Sequence, residues 1–505
     1  GGHPRPQVVV AQQRQDVQDD LREEDLSVAD AARAARPGPR PPPSTPAERF
    51  PVEKTDVDRL RKLDREHMWY PWTPMAEWMA RDQLVVERAE GCWLIDADGK
   101  RYLDGRSSMG MNLHGHGRSE IVEALVAQAR KAGETTLYRV SHPAAVELAA
   151  RLASMAPAGL QRVFFAESGS TAVETALKAA YAYWVAKGEP QRSTFVSMEG
   201  GYHGETLGTV SLRGTNGKQV DMIRKTYEPL LFPSLSFHQP HCYRCPVGQS
   251  SDSDCGLECT DSLENLLTRE KGRIAAVIVE PRVQALAGVI TAPEGHLAKV
   301  AEITRRHGVL LIVDEVLTGW ARTGPTFSCE AEGVTPDLMT MGKALTGGYL
   351  PLSATLATEE IFDAFRESVF LSGSTYSGYA LGAAVAMASL DLFEKEDVPA
   401  RANALADVLT TALEPFRALT HVGDVRQLGL IAGVELVADR ETRAPYPPQE
   451  RVVDRICTLA RDNGVLVNAV PGDVITMLPS PSMSPDDLRF LTGTLYTAIR
   501  EVTEE

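Results

Sequence analysis

No apolar run in the 505-residue chain approaches the ~18 residues that a membrane-spanning helix requires. The N-terminus carries no apolar core of the secretory type, so a cytoplasmic location is expected. There is no surplus of positive charge: 52 Lys and Arg stand against 68 Asp and Glu, a net charge of −16. With no basic stripe along any segment, nucleic acid is excluded as the expected partner, and a membrane with it. Cysteine is scarce and odd in number, seven in all, which suits a reducing compartment better than a disulfide framework. No repeat of solenoid period is present.

What is present is the composition of a globular protein, 43% hydrophobic and 24% charged. The length exceeds what one hydrophobic core serves, so a large domain with a smaller companion is expected. Residues 1–52 read as an N-terminal extension, a charged helix-prone piece followed by PGPRPPPSTP. The Pro-rich part predicts an extended tail, or an arm packing on a partner. From about 160 onward, short apolar strands alternate with helical periodicity. The strands are RVFFA (162–166), STFVSM (193–198), IAAVIVEP (274–281), VLLIVDEV (309–316), DLMTMG (337–342) and SATLAT (353–358). Continuous apolar strands separated by helices predict an α/β fold with a mostly parallel sheet covered on both faces. The pattern assigns 116–396 to this large domain, with a Cys-rich insertion at 241–259. Residues 53–115, with WLIDADGKRYLDG as a hairpin, and 397–505 are expected to form a smaller α+β domain.

Ligands of such sheets sit at the carboxyl ends of the strands. Four motifs stand there. Asp314 ends VLLIVDEV among apolar neighbours; a buried carboxylate needs a cationic partner, and a protonated pyridine nitrogen is one, while helix capping is the plain alternative. In ESGSTAVETALK a strand runs into Gly169, Ser170 and Thr171 at a helix start, a place suited to an anion as well as to ordinary capping. In MEGGYHGETLG, glycines flank Tyr202 and permit a flat ligand to lie against it. Lys343 in MTMGKALTGGYLP follows a buried strand; a desolvated lysine has a lowered pKa and forms Schiff bases with carbonyls. Phosphate cradle, stacking ring, acid and amine together match pyridoxal 5′-phosphate.

These motifs, with LHGHG (113–117), VEPRVQALAG and GSTYSGYALG (373–382), make residues 66–502 resemble the class III, or ω-type, aminotransferases of PLP fold type I. The resemblance implies that Lys343 carries the cofactor and moves the proton, and that Asp314 holds the pyridine nitrogen. It implies Gly169 and Ser170 at the phosphate, Tyr202 on the ring and Gln284 beside the phenolic oxygen. It implies Thr375 as a phosphate ligand given to a second subunit, hence a homodimer. An amino acid donor and a carbonyl acceptor would react in two half-reactions, through pyridoxamine 5′-phosphate.

Within the family, WYPWTPM (69–75) and LHGHG resemble the diaminopelargonate aminotransferases of biotin synthesis, particularly the lysine-using branch. Departures fall where substrate is expected. Trp72 replaces a usual Tyr, SSMGMN (107–112) lacks a usual Trp, Tyr379 replaces an Asn, and Asn468 stands about where an Arg binds the substrate carboxylate. Arg282 is the substitute cation considered. These departures point to a neutral aldehyde or ketone acceptor in natural-product (antibiotic) biosynthesis, as in aminotransferases of the bipyridine caerulomycin kind, with Trp69, Tyr70 and Trp72 as stacking surfaces or as core. Two other readings stay open: a racemase or decarboxylase using the same cofactor, and a catalytically silent scaffold. Cys242, Cys245, Cys255 and Cys259 have a spacing that admits a structural zinc, a local disulfide or free thiols; no catalytic metal is expected.

Overall fold

The computed structural model describes residues 56–133, 135–213, 222–248 and 255–504. The expected extension 1–52 lies outside the described residues, as do 249–254 of the Cys-rich segment.

The middle of the chain forms a seven-stranded sheet. Its order is Leu160–Ala166, Ser353–Thr358, Leu338–Met341, Leu310–Asp314, Ile274–Val279, Thr194–Met198 and Ser234–Phe237. Every residue of Ile274–Val279 and Leu310–Asp314 is buried, as sheet strands covered on both faces require. Helices Gly169–Ala186, His296–His307 and Ala380–Lys395 follow or flank the strands, and their inward faces are apolar. One strand departs from the parallel expectation: Ser353–Thr358 runs antiparallel to both neighbours. The physical reason is its connection. Residues 342–352 carry only the short turn Lys343–Thr346, too little chain for a parallel crossover of a dozen residues or more.

The hairpin is present, with Trp93 opposite Leu103. Its second strand, Arg101–Asp104, pairs in parallel with Val465–Leu466 from the far end of the sequence. A second antiparallel sheet is built from Val422–Leu428, Ile431–Leu436, Val474–Met477 and Asn468–Val470. Helices Val398–Leu413, Val452–Asp462 and Pro485–Thr503 pack around these strands. None of the helices among the described residues is long and apolar enough to cross a membrane.

His296 opens its helix 3% exposed, and its Nε2 has no partner among the described residues. Burial pulls its pKa down to about 4 from 6.5. A depressed folded-state pKa gives stability that is complete above 6.5 and is lost as pH falls through 4. This one group accounts for a loss on the order of 3 kcal/mol. His296→Gln should therefore flatten the acid side of the stability curve relative to the parent chain. Denaturant unfolding at a series of pH values measures it; parallel curves would contradict the assignment.

Candidate active site

The strands that end in Asp314 and Met341 are neighbours, with Asp314 opposite Thr340. Their carboxyl ends therefore bring Asp314 and Lys343 to one place although 28 residues intervene. Lys343 adopts a left-handed φ of 44°, an uncommon state for a residue with a side chain, and Gly347 and Gly348 complete the turn at 62° and 86°. Burial pushes the Lys343 pKa below the ordinary lysine value, while the carboxylates of Asp314 and Glu280 oppose the shift. A lowered pKa favours the neutral, nucleophilic amine.

Asp314 is 5% exposed and its carboxylate is held on both oxygens. Oδ1 accepts from Thr340 Oγ1 at 2.8 Å and from the Val316 N–H at 3.2 Å. Oδ2 lies 2.8 Å from Nδ1 of His203, itself 3% exposed. A carboxylate only accepts, so the proton of this pair sits on Nδ1. Oδ1 is filled by its two donors, but Oδ2 keeps a second lone pair, which leaves the carboxylate able to receive one further cationic N–H. Glu280 completes the cluster: it accepts from the Tyr202 N–H at 3.0 Å, and burial raises its pKa to about 7.

The expected anion cradle is the start of the helix Gly169–Ala186. Ser168 caps it, and Thr171 closes a reciprocal capping box with Ser168. The Thr171 hydroxyl is thus used within the helix end, which leaves Gly169 and Ser170 as the residues offering N–H groups. The approach is close: a Cβ on Gly169 would stand 2.6 Å from Val316, two residues beyond Asp314. Ser170 Oγ accepts from the Glu205 N–H at 3.1 Å, which ties the cradle to the Tyr202 loop. Gln284 is buried, its Nε2 donating to the Glu199 carbonyl at 3.0 Å and its Oε1 without a partner among the described residues. His203 Nε2 is likewise buried, with no partner among the described residues. An acid, a primary amine, an anion cradle and orphaned polar atoms around one pocket fit pyridoxal 5′-phosphate.

Other expected residues are more scattered. Thr375 lies in an exposed loop, and its neighbour Ser374 bonds Glu167 beside the cradle. Trp69 and Trp72 are 88% and 67% exposed, whereas Tyr70 packs on Trp78 and bonds Asp64. Of the three aromatics, Tyr70 is thus structural. Tyr379 caps the start of Ala380–Lys395 without a side-chain bond and meets Tyr376 edge-on. Arg282 points to buried Glu332 at 4.0 Å. Asn468 accepts from Arg106 at 3.4 Å and donates to Met109 Sδ at 3.0 Å. Among the described residues no three His, Cys, Asp or Glu converge as a metal site, so the zinc alternative gains nothing. Cys242, Cys245, Cys255 and Cys259 are not disulfide-bonded.

The pattern of the family Aminotransferase class-III matches residues 75–499. The adenosylmethionine-8-amino-7-oxononanoate aminotransferase of Geobacter sulfurreducens is 44% identical over 453 residues, 89% of this chain and 99% of that protein. Its namesake from Nitratidesulfovibrio vulgaris is 43% identical, over 90% of this chain and 84% of that one. A solved (S)-enantioselective omega-transaminase from Thermomicrobium roseum superimposes with a TM-score of 0.85 at 33% identity, covering 90% of this chain and all of that one. The relatives named for the oxononanoate reaction carry adenosylmethionine in their names. Neither they nor these structural neighbours support an antibiotic pathway. With Lys343 and Asp314 at adjoining strand ends and Gly169 packed close to Gly342, the chain belongs to the class III aminotransferases, enzymes that use pyridoxal 5′-phosphate.

Proposed function

We propose that this aminotransferase passes the amino group of an amine donor to 8-amino-7-oxononanoate, the keto acid named in its relatives. The observation that carries the chemistry is the meeting of Lys343 with the Asp314–His203 pair at neighbouring strand ends. Bound pyridoxal phosphate supplies an electron sink for cleaving a C–H bond next to the amine nitrogen. The chain's own part is acid–base and positional. Lys343, with its lowered pKa, takes and returns the proton. Asp314, fixed by Thr340, Val316 and His203, holds a pyridinium N–H, and the helix N-terminus at Gly169 holds a phosphate. A second copy of the chain covers the exposed Thr375 loop, where Val369, Leu371 and Tyr376 are 76%, 86% and 64% exposed, and receives Thr375 at its own cradle.

A neutral aldehyde or ketone acceptor in a natural-product pathway is the second reading, favoured by Asn468 in place of a charged group. The test is a single-turnover reaction. Protein loaded with pyridoxamine 5′-phosphate is mixed with each acceptor, and the absorption of the pyridoxal form is followed. Conversion by 8-amino-7-oxononanoate is expected. Conversion by aromatic aldehydes alone would overturn the first reading in favour of the second.

A further inference from the structure

Residues Ser107–Gly110 form one turn with φ of 46°, 49°, 67° and 81°, all left-handed, and only the last is glycine. Such a turn is costly for every residue that carries a Cβ. It is nailed in place from outside. Asp104, 1% exposed, accepts from the Ser108 N–H at 2.6 Å and its hydroxyl at 2.8 Å, and Ser107 Oγ donates to the Leu478 carbonyl. The turn ends over the catalytic lysine: a Cβ on Gly110 would lie 3.9 Å from Lys343 Cδ. At its other end stands Arg106, whose carbonyl accepts from the Gly110 N–H at 2.9 Å.

The arginines borne by the segments that carry these motifs differ in how firmly they are held. Arg322 is 1% exposed and donates to the Pro479 carbonyl at 2.6 Å. Arg213 pairs with Glu205 at 2.8 Å and lies 4.9 Å from the Tyr202 ring and 5.8 Å from Trp72. Arg282 faces Glu332. Arg106 has two long contacts, 3.5 Å to Asp104 Oδ1 and 3.4 Å to Asn468 Oδ1, and its side chain stays 30% exposed. Asp104 is already occupied by the turn, and Asn468 offers a neutral oxygen. Neither is the bidentate partner a guanidinium prefers.

We propose that Arg106 is the receptor for a substrate carboxylate, which displaces its weak contact with Asn468 and is aligned on Lys343 by the Ser107–Gly110 turn. This rests on the aminotransferase reading. The carboxylate has two possible sources, the amino acid donor and a keto-acid acceptor. The strained turn fixes the backbone spacing between Arg106 and Gly110 over Lys343, and Asn468 holds the guanidinium until the carboxylate replaces it.

The test uses holoenzyme with Arg106→Met, Arg106→Lys and Asn468→Asp. Glutamate and benzylamine are compared as donors, and 8-amino-7-oxononanoate and benzaldehyde as acceptors, each in a separate half-reaction. For Arg106→Met, the concentration giving half-maximal rate should rise roughly 10–100-fold with the carboxylate substrates. It should change less than about twofold with the neutral ones, with Arg106→Lys intermediate. Asn468→Asp, which sets a competing anion on Arg106, should show the same selectivity. Loss confined to one half-reaction assigns the carboxylate to that substrate. Equal losses for charged and neutral substrates, or no loss, would overturn the proposal. A parent enzyme that converts none of the four would instead overturn the aminotransferase reading on which it stands.

Discussion

Lys343→Ala is expected to lower turnover by roughly 10³-fold or more while the chain still folds. The amine is enclosed beside Asp314 and Glu280, and burial lowers its pKa. No other lysine stands among the residues that surround Asp314 in the cluster of His203, Glu280 and Thr340. The side chain's removal takes away a desolvated polar group, so thermal stability should not fall with activity. Lys343→Arg should not rescue, because a guanidinium stays protonated at any working pH and neither attacks a carbonyl nor accepts the proton. Steady-state rates beside unfolding curves measure both claims. A variant with near-normal rate would remove Lys343 from the mechanism, and a variant that loses rate only because it unfolds would leave the chemistry with another group.

Asp314→Asn is expected to have the second largest effect, a fall of roughly 10²-fold or more in rate. The site as built donates three protons to this carboxylate, from Thr340, Val316 and His203. An amide in the same place has one oxygen and two N–H groups, so at least one donor meets a donor. The neutral side chain also gives up the charge that favours a pyridinium. Cofactor affinity, measured by titrating apoprotein with pyridoxal phosphate, should weaken at least about tenfold. His203→Phe removes a single donor and keeps the acid, so its loss should be smaller in both measurements. Equal effects of the two variants would mean that His203, not the charge of Asp314, carries the function.

The legible parts of this site were those confined to one strand end. VLLIVDEV and MTMGKALTGG each show an abrupt change from apolar run to charged residue, and the parallel pattern implied that they share one edge. His203 stood inside a motif already singled out, but its bond to Asp314 spans 111 positions, and no local signal marks which residue a histidine will face. Glu280 was hidden in the same way, as the residue before a proline strand stop. Arg106 was illegible because the cation that reaches Asn468 lies 362 positions earlier, on a segment brought there by the pairing of Arg101–Asp104 with Val465–Leu466. The left-handed turn was illegible outright, since Ser107, Ser108 and Met109 carry no preference for positive φ and are held there by tertiary bonds. The reversed strand was legible in principle, from the short connection 342–352. Thr171 shows the converse: a hydroxyl at the right place for a phosphate, used instead to cap its own helix.

The exposed aromatics show how an acceptor differs from a fold in its traces. Tyr70 has found a carboxylate and a ring partner, whereas Trp69 and Trp72 remain largely uncovered, Trp72 beside Arg213. What covers them, substrate or a second copy, is a property of the assembled enzyme and leaves no periodicity in the sequence.

The most direct test of the central claim is to reduce the holoenzyme with borohydride and map the modified peptide by mass spectrometry. The account predicts one pyridoxyl group per chain, on Lys343, with Asp314→Asn modified at the same residue under saturating cofactor. Modification at any other lysine, or none in protein shown to hold the cofactor, would contradict it.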